Sequence, residues 1–213
     1  MGPPNCGKTA LFNRLTGSHQ KVANYAGVTV ERKEGRLRTA AGRSLRLLDL
    51  PGVYSLYPRS PEERVTVDVL RGQARGEKRP DLVVCVVDAT NLRRNLRLVL
   101  GIRRLGLPCL VALNMADLAE RKRLKIDAAA LARELGVPVV PTVAIDSDGA
   151  APLLAALDDA ALWRGGSMPA AAAAPQVDPQ ADHEAVRAML QRLGLDTAVP
   201  HTRSDRIDRV VLH

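Results

Sequence analysis

The sequence opens on Gly2-Pro3-Pro4-Asn5-Cys6-Gly7-Lys8-Thr9, which fits G-x-x-x-x-G-K-[ST]. No other stretch limits the fold as strongly. The spacing calls for a turn whose backbone N–H groups point inward, followed at once by a helix whose N-terminus adds more of them. Gly2 and Gly7 let the backbone approach an anion closely. The N–H groups of Cys6, Gly7, Lys8, Thr9 and Ala10 bind phosphate oxygens, Lys8 neutralises their charge, and the Thr9 hydroxyl is placed for Mg²⁺. Such a loop normally follows a buried strand, yet only Met1 stands before Gly2. The sequence therefore predicts an α/β sheet without its first strand.

The remaining pattern alternates strands and helices. Residues 8–17 read as a helix stopped by Gly17, and 18–29 as a mobile loop. Residues 30–40 and 44–50 read as two strands joined at Ala41-Gly42-Arg43. A helix over 62–75 is announced by Ser60-Pro61-Glu62-Glu63. The apolar runs 82–87 (LVVCVV), 107–113 (LPCLVAL) and 137–143 (VPVVPTV) have the composition of buried parallel strands. Helices over 91–105 and 127–135 separate them. Five candidate strands with these crossovers predict a doubly wound, mostly parallel sheet. Composition shifts near residue 150, which divides a domain over 1–150 from an annex over 151–213. In the annex, 151–163 reads as a short helix, the Ala- and Pro-rich 165–180 as a linker, 181–194 as a helix and 203–213 as a basic amphipathic tail.

Composition narrows the function. Aromatic residues make up 2% of the chain, which argues against nucleic-acid modules built on stacked aromatic platforms. The net charge of +8 suits an anionic partner. Cys6, Cys85 and Cys109 are an odd count with no CxxC spacing, as in a reduced cytosolic protein. His19, His183, His201 and His213 lack metal-ligand spacing. No apolar run reaches the ~18 residues of a membrane span, so the chain is expected to be soluble.

Further motifs complete a nucleotide site. Asp49-Leu50-Pro51-Gly52 ends a strand, where the Asp49 carboxylate can hold the Mg²⁺ shell and the Gly52 N–H can approach a γ-phosphate. Thr29 lies in the loop between the two motifs and can close over Mg²⁺ and that phosphate. Asn114-Met115-Ala116-Asp117 matches N-K-x-D with Met in the Lys place. Asp117 can accept hydrogen bonds from guanine N1 and N2, donors that adenine lacks. The Met115 side chain can cover the base face. Val143 and Ala144 follow the last strand, where a backbone N–H would meet the guanine oxygen. Lys8, Thr29 and Gly52 are thus the residues expected to act on the γ-phosphate.

Taken together, PNCGKTALFNRLTG, AGVTVERKEG, LDLPGVYSLYPRSPEE and NMAD resemble the cytosolic G domain of the ferrous iron transport protein B (FeoB) family. The C-terminal SDRIDRVVLH resembles the stretch that precedes the first membrane helix there. The resemblance implies a P-loop GTPase fold and slow GTP hydrolysis. It also implies attachment to a transmembrane Fe²⁺ permease at the cytoplasmic face of the inner membrane. GTP or GDP and Mg²⁺ are the implied ligands. Asn5 resembles the residue that helps K⁺ bind beside the phosphates, and the annex resembles one that favours bound GDP. The implied partners are the permease region and further copies of the chain, with no nucleic acid. Ala23, Tyr25 and Ala26 depart from the family pattern G-N-W-P-G-V-T, and Val53 stands where small GTPases carry a water-orienting Gln. Two other readings fit the nucleotide motifs: an RNA- or ribosome-associated GTPase of the Era or TrmE type, and a guanine-nucleotide switch that does not hydrolyse.

Overall fold

The computed structural model describes residues 1–17, 20–163 and 179–196. The elements run α1 (Lys8–Thr16), β1 (Gln20–Asn24), β2 (Glu31–Arg38), β3 (Ser44–Asp49), α2 (Pro61–Arg71), β4 (Val83–Asp88) and α3 (Leu92–Arg104). They continue with β5 (Cys109–Asn114), α4 (Ala116–Arg121), α5 (Ala128–Leu135), β6 (Val139–Pro141), α6 (Ala151–Asp158), α7 (Ala160–Trp163) and α8 (Pro179–Arg192). The expected linker and basic tail lie largely or wholly outside the described residues. Among those residues, no helix is long and apolar enough to cross a membrane.

The strands form two three-stranded sheets. One is antiparallel in the order β1-β2-β3, and the other is parallel in the order β4-β5-β6. The parallel half is the sheet that the apolar runs predict. β1 falls inside the segment expected to be a loop. Its polar sequence, QKVAN, carries no apolar run, and its exposed side chains show that it forms by pairing with β2 rather than by burial. α4 was likewise not expected, because six residues hold too few apolar positions to show a helical period.

Side-chain alternation along the parallel strands explains the layers. Cys85, Val87, Val111 and Leu113 face one core with Leu70 of α2, Leu96 and Ile102 of α3, Leu131 of α5 and Met189 of α8. Their neighbours Val86, Leu110 and Ala112 face the other core with Leu11 of α1 and Leu153 and Leu157 of α6. Helices cover both faces, as parallel strands require. α2 starts as its sequence predicts: the Ser60 hydroxyl accepts from the Glu63 N–H at 3.2 Å, and Pro61 occupies the first turn.

Met1 and Gly2 lie between the two sheets. The Met1 amino group donates to the Val84 carbonyl at 2.8 Å, and the Val86 N–H donates to the Met1 carbonyl at 2.7 Å. On the other side, the Val53 N–H donates to the Gly2 carbonyl at 3.2 Å. These bonds fix the start of the phosphate loop between the ends of β3 and β4.

Candidate functional site

The loop before α1 folds as its glycines demand. Gly7 caps α1 with φ +85°, and Asn5 also takes a positive φ, of 63°. A Cβ on Gly7 would come within 2.2 Å of Asn114 Nδ2, so only glycine lets the loop sit this close to β5.

Asn114 is the hub of the site. Its buried side chain donates from Nδ2 to the Cys6 carbonyl at 3.0 Å. Its Oδ1 accepts from the Ala144 N–H at 3.0 Å and from the Thr142 hydroxyl at 3.4 Å. One amide thus ties the phosphate loop, the end of β5 and the segment after β6 together. The Ala116 N–H donates to the Thr142 carbonyl, which adds α4 to the group. Thr142 is 1% exposed; it stands in the segment expected to meet the base, but its hydroxyl contact to Asn114 was not foreseen, because a lone Thr after a strand carries no pattern.

Around this hub lies a cavity of about 570 Å³ lined by Asn5, Gly7, Lys8, Thr9, Ala10, Asn114, Met115, Asp117, Val143 and Ala144. Leu118, Arg121 and Ile145 line it too. Of these three, only Arg121 had a legible signal: it stands four residues after Asp117, and its guanidinium approaches that carboxylate at 3.9 Å. Met115 turns the chain into α4 with φ 61°, near Gly7. Val143 is held by its N–H bond to the Gly149 carbonyl at 3.0 Å. A Cβ on Gly149 would meet the Val143 carbonyl at 1.9 Å, so that position also needs glycine.

Four expected residues do not line this cavity. Cys6 is buried beneath the loop, and burial pushes its thiol pKa up. Gly52 packs on the loop from the other side: a Cβ there would sit 3.0 Å from Lys8 Nζ and 3.1 Å from the Pro4 nitrogen. Asp49 lines a second cavity that it shares with Lys8, so the two cavities meet at the lysine. Thr29 lies exposed in the turn after Tyr25, which is closed by Tyr25 N–H to the Val30 carbonyl at 3.0 Å. The Lys8 ammonium bonds to the Pro3 carbonyl at 3.0 Å, within its own loop.

Residues 1–157 match the family model described as ferrous iron transport protein B. The chain belongs to the ferrous iron transport protein B family. Among curated relatives, the FeoA/FeoB fusion protein of Porphyromonas gingivalis is 50% identical over 149 residues, covering 70% of this chain and 17% of that protein. Among solved structures, the cytosolic domain of L. pneumophila FeoB is 41% identical with a TM-score of 0.66, covering 73% of this chain and 64% of that one. The cytosolic domain of T. maritima FeoB in its GMPPNP form is 41% identical with a TM-score of 0.64, covering 73% of this chain and 57% of that one. The chain therefore has the fold of the N-terminal FeoB G domain, a P-loop GTPase fold. It spans between 17% and 20% of the length of the first curated relatives it matches. Family membership decides for the iron-transporter branch over the RNA-associated reading.

Proposed function

We propose that this chain is the guanine-nucleotide-binding, slowly GTP-hydrolysing module of a membrane ferrous iron transporter. The observation that carries the reading is the Asn114 hub, which ties the phosphate loop and the segment at Val143–Ala144 together around one cavity that Asp117 also lines. The loop N–H groups from Cys6 to Ala10 bind the phosphates, and Lys8 adds its charge. Asp117 accepts from the guanine N1 and N2 groups, the N–H of Val143 or Ala144 meets the guanine oxygen, and Met115 covers the base. FeoB of T. maritima in a GMPPNP form supports a nucleotide ligand at this fold.

The hydroxyls of Thr9 and Thr29 and the carboxylate of Asp49 are hard oxygen donors, the set that suits Mg²⁺. When bound, Mg²⁺ supplies positive charge beside the phosphates. Thr29 must move with its loop to reach that place, as in a switch ordered by ligand. The Asn5 side-chain oxygen is the group that would hold K⁺. Residues 1–150 form the nucleotide domain and 151–213 the annex, which leads toward the permease at the cytoplasmic face of the membrane. The nucleotide acts in that setting as a regulator of iron passage.

The non-hydrolysing switch is the second reading, and Val53 favours it. This residue is fully buried, so nothing at the position after Gly52 reaches a water. Calorimetry with GDP and ADP in Mg²⁺ buffer, followed by phosphate release from GTP in K⁺ and in Na⁺, tests both readings. Binding of GDP but not ADP is expected, with slow release faster in K⁺. Equal affinity for GDP and ADP would overturn the guanine assignment. Binding without release in either salt would establish the second reading.

A further inference from the structure

The loop that carries Thr29 is the connection between β1 and β2. It begins at Tyr25 and ends at Val30, which are both buried, while Ala26, Gly27, Val28 and Thr29 between them are exposed. Its base is closed by the Tyr25 N–H bond to the Val30 carbonyl at 3.0 Å, and the Val28 N–H donates to the Tyr25 carbonyl at 3.2 Å. Gly27 turns the tip with φ +82°, and a Cβ there would meet nothing within 4 Å. The loop has a fixed base and an unpacked tip.

The Tyr25 side chain is what fixes the base. Its ring is 4% exposed and shares a core cluster with Val30, Leu50 and Val53. Its hydroxyl donates to the main-chain carbonyl of Asp49 at 3.3 Å. Burial, with the Glu77 charge adding to it, holds the phenol above its ordinary pKa, so the hydroxyl keeps the proton that it donates. Core packing sets the depth of the ring, and the hydrogen bond ties it to one residue. That residue is Asp49, whose carboxylate belongs to the same set of oxygen donors as the Thr29 hydroxyl.

We propose that Tyr25 is a positioning residue for the triphosphate-bound state: it pins the base of the loop to Asp49, so that only residues 26–29 rearrange when the Thr29 hydroxyl joins Asp49 at Mg²⁺. This inference rests on the nucleotide reading above and names what holds Thr29 within reach. Each residue ordered on closure costs conformational entropy, so a short tip closes more readily than a loop left loose back to β1. A diphosphate offers no γ-phosphate for the tip to close on. The anchor therefore acts on the binding of a triphosphate and leaves a diphosphate unaffected.

Tyr25→Phe keeps the ring and removes the hydroxyl. Amide hydrogen exchange is read with no nucleotide present, and affinities for GDP and for GMPPNP are then measured in Mg²⁺ buffer. The amides of residues 25 and 28 are expected to exchange about 3–10-fold faster than in the parent chain, the range that one hydrogen bond supports. GMPPNP affinity is expected to fall by about the same factor, with GDP affinity unchanged. A structural defect alone lowers both affinities together, and that result would overturn the proposal. So would unchanged exchange at both amides, whether or not a nucleotide binds. Faster exchange in a chain that binds neither nucleotide would sink the nucleotide reading and leave the anchor standing. A cycle with Thr29→Ala tests the route. With the Thr29 hydroxyl gone, Tyr25→Phe is expected to lower GMPPNP affinity no further. The same loss in both backgrounds would overturn the action of Tyr25 through Thr29.

Discussion

Asn114 and Asp117 stand three residues apart and do different work. Asn114 spends both ends of its amide on the protein, on Cys6, Thr142 and Ala144, so it acts on a ligand through the segments it positions. Asn114→Ala is expected to destabilise the chain by about 1–3 kcal/mol, because it leaves buried partners unpaired. The urea midpoint checks the stability loss, and a parallel loss of GDP affinity is expected by calorimetry. Asp117 keeps its carboxylate at the cavity wall, with Arg121 3.9 Å away. Asp117→Asn removes an acceptor for guanine and supplies a donor for the second carbonyl of xanthine. GDP affinity is expected to fall about a hundredfold, at roughly 1.4 kcal/mol per factor of ten, while xanthosine diphosphate becomes the better ligand. A titration in which GDP affinity is unchanged would remove Asp117 from the base pocket.

At the scale of elements, α3 holds α8 against the nucleotide domain. α3 carries a basic series, Arg93, Arg94, Arg97, Arg103 and Arg104. Members of this series make contacts that tie segments together. Arg104 pairs with the buried Asp182 of α8, and Arg94 stacks on the Tyr54 ring at 4.1 Å. Leu56, from the same loop as Tyr54, packs at Gly101, where a Cβ would approach it to 3.1 Å. The loop after Gly52 and the annex helix thus rest on one helix. Arg104→Ala is expected to cost about 1–2 kcal/mol, a figure lowered because Arg104 is itself about a third exposed. The loss should show as faster hydrogen exchange confined to α8. Unchanged exchange there would mean that Val186, Met189 and Leu190 hold α8 by packing alone.

At the scale of the whole molecule, the two sheets are clamped by charge as well as by Met1. Arg32 of β2 pairs with Glu34 and with Glu77, which lies ahead of β4. Arg46 of β3 reaches Glu34 at 3.0 Å and Glu77 at 2.9 Å. The Arg46 guanidinium, with help from Arg32, holds the Glu34 carboxyl below the usual carboxylate range. A carboxylate whose pKa is lowered by folding contributes stability that is present above its unfolded pKa and is lost as pH falls through the folded one. Acid unfolding of the chain should therefore steepen in that range. Glu34→Gln is expected to flatten that part of the curve and to leave the neutral-pH unfolding cooperative. An acid limb identical in the two proteins would place the acid-labile carboxylates elsewhere.

Much of this molecule follows from local chemistry. The phosphate loop, the three parallel strands, the α2 cap and most of the cavity lining were legible because each depends on residue type at fixed spacing. Gly7 must take a positive φ, apolar runs must be buried, and Ser60 must satisfy an N–H at a helix start. Other features depend on partners distant in sequence. β1 is a strand only because β2 offers an edge. Thr142 matters only because Asn114 reaches it, and the arginines of α3 are tied down only because Asp182 and Tyr54 fold onto them. The sequence alone therefore dictates the local chemistry of the loop, the caps and the apolar strands. The tertiary structure decides which distant segments meet at the site, because the Asn114 amide reaches Cys6, Thr142 and Ala144 only once β5, β6 and the phosphate loop are packed together.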